Sequence, residues 1–387
     1  MIQDYTRYLT LSFYAWEQRK LGKVIERKTQ KRESSDLPYI EYADIIPNIG
    51  RLNKDIFSRK NTKQGIYFQK NDILFGKLRP YLNNWLKPQF KGIAVGDFWV
   101  FNGIKLNNDF LYYYIQTKKF SDVANATTGT KMPRSDWKLV SNLKIKFPSF
   151  EEQQNIGKLL YSLEKLITLY ERKFKLLSQV KKYFLNNLFT KKEYPNLRFK
   201  GYEDTWLKSK FSKFLSIPEK VKVTIDSPSR ILTVKLNLGG VQKGANRTTL
   251  KLNSTTYYLR KAGQLIYGKQ NLFNGSLAII PSQFEGYVTS GDVPSLNINN
   301  INKQFLYYYI ARRSFYKKTE AYSSGTGSKR IHEKTFLSFN IVYPENLKEQ
   351  EKISRLISSI NSNIKLYCSK KNKLTAIKKK LLNTMFI

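Results

Sequence analysis

Apolar residues recur at alternating steps of four and three through the middle of the chain: Ile156, Leu160, Leu163, Ile167, Tyr170, Phe174, Leu177, Phe184 and Leu188, with Lys181 the one polar interruption. The same grid returns at the end, in Ile353, Ile357, Ile360, Ile364, Tyr367, Leu374, Leu381 and Met385, interrupted by Lys371 and Lys378. Such spacing, sustained over about five heptads, predicts one coiled-coil seam per stretch. Ser149 with Glu152 forms an S-x-x-E capping box just after Pro148, and Asn346 with Glu349 repeats that start signal. Each helix spans about 55 Å at 1.5 Å per residue. A surface helix lying on its own globular unit is the other reading, but it suits three or four turns better than this length. The two helices are expected to pair with each other.

Outside the helices the pattern shortens. Gly65 to Phe68, Asp72 to Phe75, Ile93 to Phe101, Leu143 to Phe147, Ser229 to Val234, Gln264 to Tyr267, Leu277 to Ile280 and Ser338 to Val342 are β-branched and aromatic runs, many bounded by Gly, Asn or Pro, and read as strands. Asn107 to Phe120 and Asn302 to Phe315 read as helices. The triple tyrosines within them fall at helical spacing and are read as core rather than as stacking platforms. The fold class is therefore mixed α/β (α+β).

The chain also repeats itself at an offset near 195 residues. Phe110 to Ile115 (FLYYYI) returns as Phe305 to Ile310, Asp72 to Lys77 answers Gln264 to Lys269, and Gly96-Asp97 answers Gly291-Asp292. Trp16 and Lys20 meet Trp206 and Lys210, Arg134 meets Arg330, and Phe147-Pro148 meets Tyr343-Pro344. Matches in one order at a nearly constant offset mark a tandem duplication. The expected organisation is a first unit over 1–148, a long helix over 149–190, a connector and second unit over 191–345, and a second long helix over 346–387. Thr190 to Thr205, charged and holding Pro195 and Gly201, is expected to be an exposed connector.

Charge narrows the partner. Lys plus Arg total 68 against 29 acidic residues, a formal net charge of +39 in 387 residues, and self-repulsion on that scale points to a polyanion. Membrane is excluded as that polyanion, since no run approaches the roughly 18 consecutive apolar residues of a spanning helix. Met1 to Ala15 is interrupted by Asp4 and Arg7 and lacks the layout of a secretion signal, so a soluble cytoplasmic protein is expected. With one cysteine, Cys368, and one histidine, His332, the chain cannot assemble a disulfide framework or a zinc cluster. Cys368, beside seam residue Tyr367, is read as inert.

Catalytic motifs are missing too. There is no G-x-x-x-x-G-K-[ST] loop for ATP phosphates and no Asp/Asn-Pro-Pro-aromatic tetrapeptide for a flipped base. The chain is expected to be non-catalytic by itself and to bind DNA in a strongly salt-dependent way.

The sequence resembles the specificity subunits of type I restriction-modification systems over nearly its whole length. The resemblance rests on Trp16 to Gly22 (WEQRKLG), Pro148 to Ile156 (PSFEEQQNI), Pro195 to Gly201 (PNLRFKG) before Trp206, and the Gly-Thr segments at Gly129 and Gly325. Met1 to Ala15 departs from it, having no counterpart of the Asn196 to Gly201 stretch. The resemblance implies two target-recognition domains, each reading one half of a split double-stranded DNA site, spaced by two antiparallel helices. It also implies docking of two methyltransferase subunits and, through them, motor-nuclease (restriction) subunits. S-adenosylmethionine, ATP and Mg would be held by those partners and not by this chain.

Base contacts are expected in loops that follow strands. In the first unit these are Lys77, Arg79 and Tyr81, together with Lys131 and Arg134 around Gly129-Thr130. In the second they are Lys269, Gln270 and Asn271, together with Lys329, Arg330 and His332 around Gly325-Thr326. Long cations reach phosphates or guanine edges, and amides pair with adenine. The competing classes are a self-sufficient nuclease or methyltransferase and a basic structural coiled-coil protein. Two diverged α/β units favour a reading adaptor over either.

Overall fold

The computed structural model describes residues 16–59, 63–126, 131–190, 192–244, 255–325 and 328–386. Met1 to Ala15, Gly129-Thr130 and Thr326 therefore lie outside the described residues. The chain divides into two units, Met1–Glu171 with Cys368–Ile387, and Arg172–Tyr367, and both are mixed α/β.

In the first unit, strand Glu17–Lys20 pairs antiparallel with Lys144–Phe147, placing Glu17 opposite Phe147. An antiparallel sheet runs in the order Ile25–Lys28, Phe98–Gly103, Ile73–Gly76, Trp85–Leu86. A second sheet holds Lys31–Arg32, Gly65–Phe68, Gly92–Ala94 and Tyr39–Ile40, the last pair parallel. Phe75, Phe101, Phe110, Tyr113, Tyr114 and Phe120 are fully buried together, so the triple tyrosine is core.

Two expected elements break in two. Ile93 to Phe101 divides into Gly92–Ala94 and Phe98–Gly103 because Gly96 turns the chain with φ +100, a conformation suited to glycine. Asn107 to Phe120 divides into Asn108–Tyr114 and Lys118–Ala124. The Thr117 hydroxyl donates to the Tyr114 carbonyl at 2.7 Å and accepts the Phe120 N–H at 3.3 Å, closing one helix and capping the next.

The second unit repeats the plan. Leu207–Lys210 pairs with Asn340–Tyr343, with Leu207 opposite Tyr343. The main sheet runs Leu215–Ser216, Ser295–Ile298, Leu265–Tyr267, Leu277–Ile279, the same order as in the first unit. The strand expected from Ser229 begins only at Leu232, because Pro228–Arg230 forms a helical turn first. The helix expected over Asn302 to Phe315 is again two, Lys303–Ile310 and Arg313–Tyr316.

The long helices are Phe150–Asn187 and Leu347–Thr384, 38 residues each. Their predicted seam positions are buried or half-buried, including the polar interruptions Lys181, Lys371 and Lys378. Within the first unit, Glu164 meets Lys378 at 2.7 Å and the Lys370 ammonium lies 5.6 Å from the Tyr170 ring. Rising numbers on one helix thus meet falling numbers on the other, an antiparallel pairing. Lys378 is answered by a small polar network, since Glu164 also accepts from the Tyr113 hydroxyl and Gln116 accepts from Lys378. Within the second unit, Lys173 lies over Tyr367 at 5.3 Å. There, burial and the nearby Lys365 hold the Lys181 ammonium below its ordinary pKa.

The helix starts show what the shared Gln does. The buried Gln153 side chain accepts the Asn107 N–H at 2.8 Å and donates to the Pro148 carbonyl at 3.0 Å. Gln350 does the same with Asn302 and Pro344, both at 2.8 Å. Each long helix is thereby latched to the short helix of its own unit. Gln350→Leu leaves the half-buried Asn302 N–H and the Pro344 carbonyl without their partner, and is expected to cost about 1–3 kcal/mol of stability in urea unfolding. An unchanged midpoint would show that water replaces the latch.

The expected capping boxes form only in part. Ser149 Oγ accepts the Glu152 N–H at 3.3 Å, and Asn346 Oδ1 accepts the Lys348 N–H at 2.9 Å. The Glu349 carboxylate does not turn back to its helix start. It takes two hydrogen bonds of 2.9 Å from Arg198 and a third of 3.3 Å from the Trp206 indole, because a bidentate guanidinium outcompetes a single backbone donor. The connector is consequently not merely exposed: Leu197 and Phe199 pack on the core of the second unit, and the Arg198 side chain is only 15% exposed.

Candidate nucleic-acid interface

In the first unit the loop after strand Ile73–Gly76 is held from three sides. The Lys77 N–H donates to the Asp97 carbonyl at 2.9 Å, the Ser135 N–H to the Lys77 carbonyl at 2.8 Å, and the Arg79 N–H to the Pro133 carbonyl at 2.7 Å. Lys77, Arg79 and Tyr81 are thus brought beside Arg134. The Asp97 carboxylate sits between two of them, 3.4 Å from the Lys77 ammonium and 3.0 Å from Arg134 Nε. Tyr42 braces the same turn by accepting the Leu78 N–H at 3.0 Å and donating to the Asp97 carbonyl, and burial pushes its phenol pKa up.

Arg79 differs from its neighbours. It is a non-glycine residue in the left-handed region, with φ +48 and ψ 61, at the entry to the helical turn Pro80–Leu82. That conformation is uncommon and clusters at functional sites. Its side chain is exposed and has no ion pair among the described residues. Tyr81, 55% exposed, and Lys131 also face solvent.

The second unit repeats the backbone of this loop with different side chains. The Lys269 N–H donates to the Asp292 carbonyl at 2.9 Å and the Ile331 N–H to the Lys269 carbonyl at 2.9 Å. Asp292 again faces the arginine, with Oδ1 3.3 Å from Arg330 Nε. The Lys269 ammonium is different: only 13% exposed, it lies 3.0 Å from Glu333, which Lys220 also approaches at 3.8 Å. Burial works against the Glu333 carboxylate, but its backbone N–H, Lys269 and Lys220 outweigh it and hold its pKa below the ordinary range. Lys269 therefore spends its charge inside the protein. Gln270 and Asn271 are half-buried, and Asn271 Oδ1 accepts from Asn274 at 3.2 Å. Lys329 is exposed and pairs with Glu320 at 3.2 Å. His332 is exposed at the start of helix Glu333–Ser338.

Asp97, Asp292, Tyr42 and Glu333 were not named as site residues from sequence. The Gly-Asp pair retained in both copies was the available signal for the two aspartates. Among the described residues no group of three His, Cys, Asp or Glu side chains is placed to hold a metal ion, and no helix is long and apolar enough to cross a membrane.

The scaffold is duplicated with a different loop set in each copy, and a family profile likewise matches the chain twice. The profile of the type I restriction modification DNA specificity domain matches residues 15–182 and again 235–376. The chain belongs to the type I restriction-modification DNA specificity family. Membership of that family makes this a DNA-recognition protein rather than the catalyst of the system. Among curated relatives it is similar to the type I restriction enzyme MjaVIII specificity subunit of Methanocaldococcus jannaschii, 24% identical over 358 residues, covering 86% of this chain and 80% of that one. It is 31% identical to the EcoDI specificity subunit of Escherichia coli over 90 residues, 23% of this chain and 20% of the relative. In fold it resembles the crystal structure of a type I restriction-modification S subunit from M. genitalium, with TM-score 0.63, 13% identity and 98% of each chain covered.

Proposed function

We propose that this specificity-family chain reads an asymmetric, bipartite duplex site, one half with each unit, and serves as the adaptor on which methyltransferase subunits assemble. The observation that carries the reading is the repeated loop: the same two backbone hydrogen bonds anchor it at Lys77, ahead of Arg79 and Tyr81, in the first unit and at Lys269, ahead of Gln270 and Asn271, in the second, each beside an aspartate-held arginine, Arg134 or Arg330. The same frame with different side chains implies the same task on different sequences. Arginine suits guanine edges and the amides suit adenine. The candidate set also includes Lys77, Lys131, Lys269, Lys329 and His332, with Lys269 acting mainly through the geometry it gives its loop.

Docking of two methyltransferase subunits, and through them the motor-nuclease subunits, has support in the first long helix. Beside its seam it exposes a second apolar row, with Leu159, Leu166 and Leu169 in the first unit and Leu176 and Tyr183 in the second, each at least 42% exposed. A row of that kind at heptad-like spacing suits a helical partner. The working division is 1–148 and 191–345 as reading regions and 149–190 and 346–387 as helices, with the protein acting in the cytoplasm.

The deciding experiment is methylation mapping in cells that carry this chain with its methyltransferase. Replacing residues 206–343 with the corresponding unit of a related chain is expected to change one half-site and leave the other and the spacer intact. A continuous target, or a change in both half-sites, would sink the two-part reading.

A further inference from the structure

The second unit contains a pocket of about 400 Å³ between the strand pair Leu207–Lys210/Asn340–Tyr343 and the turns around 313–322. Its charged groups are Lys208, Arg312 and Lys318, and no carboxylate side chain lines it. Arg312 is only 7% exposed. Its Nε donates to the Tyr309 carbonyl at 3.0 Å, and its guanidinium lies 4.1 Å from the Tyr309 ring and 5.1 Å from the Phe189 ring. Beyond Tyr309 no hydrogen-bond acceptor is recorded for the guanidinium among the described residues, and no acid lines the pocket. Aromatic faces offset part of the cost of burying a cation. An arginine this deeply buried on a cavity wall, without a carboxylate partner, is suited to take an anion from that cavity.

The repeat provides a control. Arg312 stands where the first unit has Thr117, and Lys208 where it has Gln18. Thr117 caps its helix with its own hydroxyl, so the turn needs no cation. The first unit's cations at matching places, Lys119, Lys144 and Lys146, are exposed, whereas a buried cation at this turn is peculiar to the second unit and stands on a cavity wall. Aromatic surface accompanies it: Phe315 and Phe339 line the wall, and Tyr322, 63% exposed, stands at the rim with its ring centre 5.3 Å from that of Phe339. A cavity of this size is within the range of small-ligand sites.

We propose that this pocket binds a nucleotide, with the phosphate on Arg312, Lys208 and Lys318 and the base against the Tyr322–Phe339 aromatic edge. Cations beside an open aromatic platform are the chemistry that holds nucleotides without reading their sequence. Two sources share it, a free nucleoside phosphate and a nucleotide of the bound DNA. The second is within reach in the chain, since the turn Lys317–Tyr322 leads directly into the loop carrying Lys329 and Arg330 and is tied by Lys317 to Asn274 at 3.0 Å.

Calorimetric titration of the full chain with AMP and with inorganic phosphate tests this. AMP is expected to bind saturably and more tightly than phosphate. Arg312→Gln and Lys318→Ala are each expected to weaken AMP by about tenfold or more, the loss that follows removal of one charge-assisted contact. Lys318 is exposed, so its variant carries the test even if Arg312→Gln disturbs folding. Competition by a duplex bearing the mapped target then separates the sources: displacement of AMP assigns the pocket to DNA, and simultaneous binding assigns it to a free nucleotide. Absence of saturable AMP binding, or AMP affinity untouched by both substitutions, overturns the proposal. Neither result bears on the methylation map, so the two-part reading stands or falls separately.

Discussion

Glu349→Ala is expected to lower the unfolding free energy by about 3–5 kcal/mol, the usual cost of removing one partner of a buried ion pair. The Glu349 side chain is 1% exposed and the Arg198 side chain 15%, and the Trp206 indole shares the same carboxylate. Its loss strands a guanidinium and an indole N–H together. Glu152 occupies the matching place in the first copy but is exposed, so Glu152→Ala is expected to stay within about 0.5 kcal/mol of the parent. Urea denaturation of both variants checks the contrast. Equal losses would mean that the Arg198 contact contributes no more than a surface pair.

The second large effect concerns recognition. Asp97→Ala removes the carboxylate that holds Arg134 and Lys77 while adding net positive charge to the face proposed to meet DNA. Non-specific affinity is expected to rise, because one acidic group less opposes the phosphates. Discrimination at the half-site read by the first unit is expected to fall by about 1–3 kcal/mol, the value of one well-placed arginine-to-base contact. The other half-site keeps its selectivity, because Arg330 has its own aspartate in Asp292. Competition binding with single-base variants of the mapped target resolves the two effects. If specific and non-specific affinity rose together, Asp97 would be an electrostatic brake and not a positioning residue.

Much of this architecture was legible in the sequence because it is periodic or repeated. The seam grid revealed both long helices, the start signals at Ser149 and Asn346 stand one residue before them, and the half-buried Lys181, Lys371 and Lys378 fell where the grid places its interruptions. The duplicated Phe110 and Phe305 segments identified the same buried layer twice. What stayed hidden was set by partners distant in sequence. Glu349 looked like a capping residue because nothing local announces Arg198, 151 positions away. Lys269 looked like a free loop cation because its carboxylate, Glu333, lies on a later helix. The breaks were marked locally, by Gly96-Asp97 and by the polar run Gln116-Thr117-Lys118-Lys119, but the apolar residues on either side kept the helical or strand period and so masked the turn chemistry. Arg312 gave no signal in the sequence, since its environment consists of rings supplied by Phe189 and Tyr309.

The glutamine latch has an evolutionary consequence. Gln153 and Gln350 satisfy the same two backbone groups in their respective copies, and every atom involved lies within a unit and the first turn of the helix that follows it. A genetic crossover in the short segment from Pro148 to Gln153, or from Pro344 to Gln350, would therefore join a foreign unit to a resident helix with the glutamine joint already made. At the first junction the glutamine contacts carry no information about which unit arrives, whereas at the second the incoming unit must also bring counterparts of Arg198 and Trp206 for the buried Glu349.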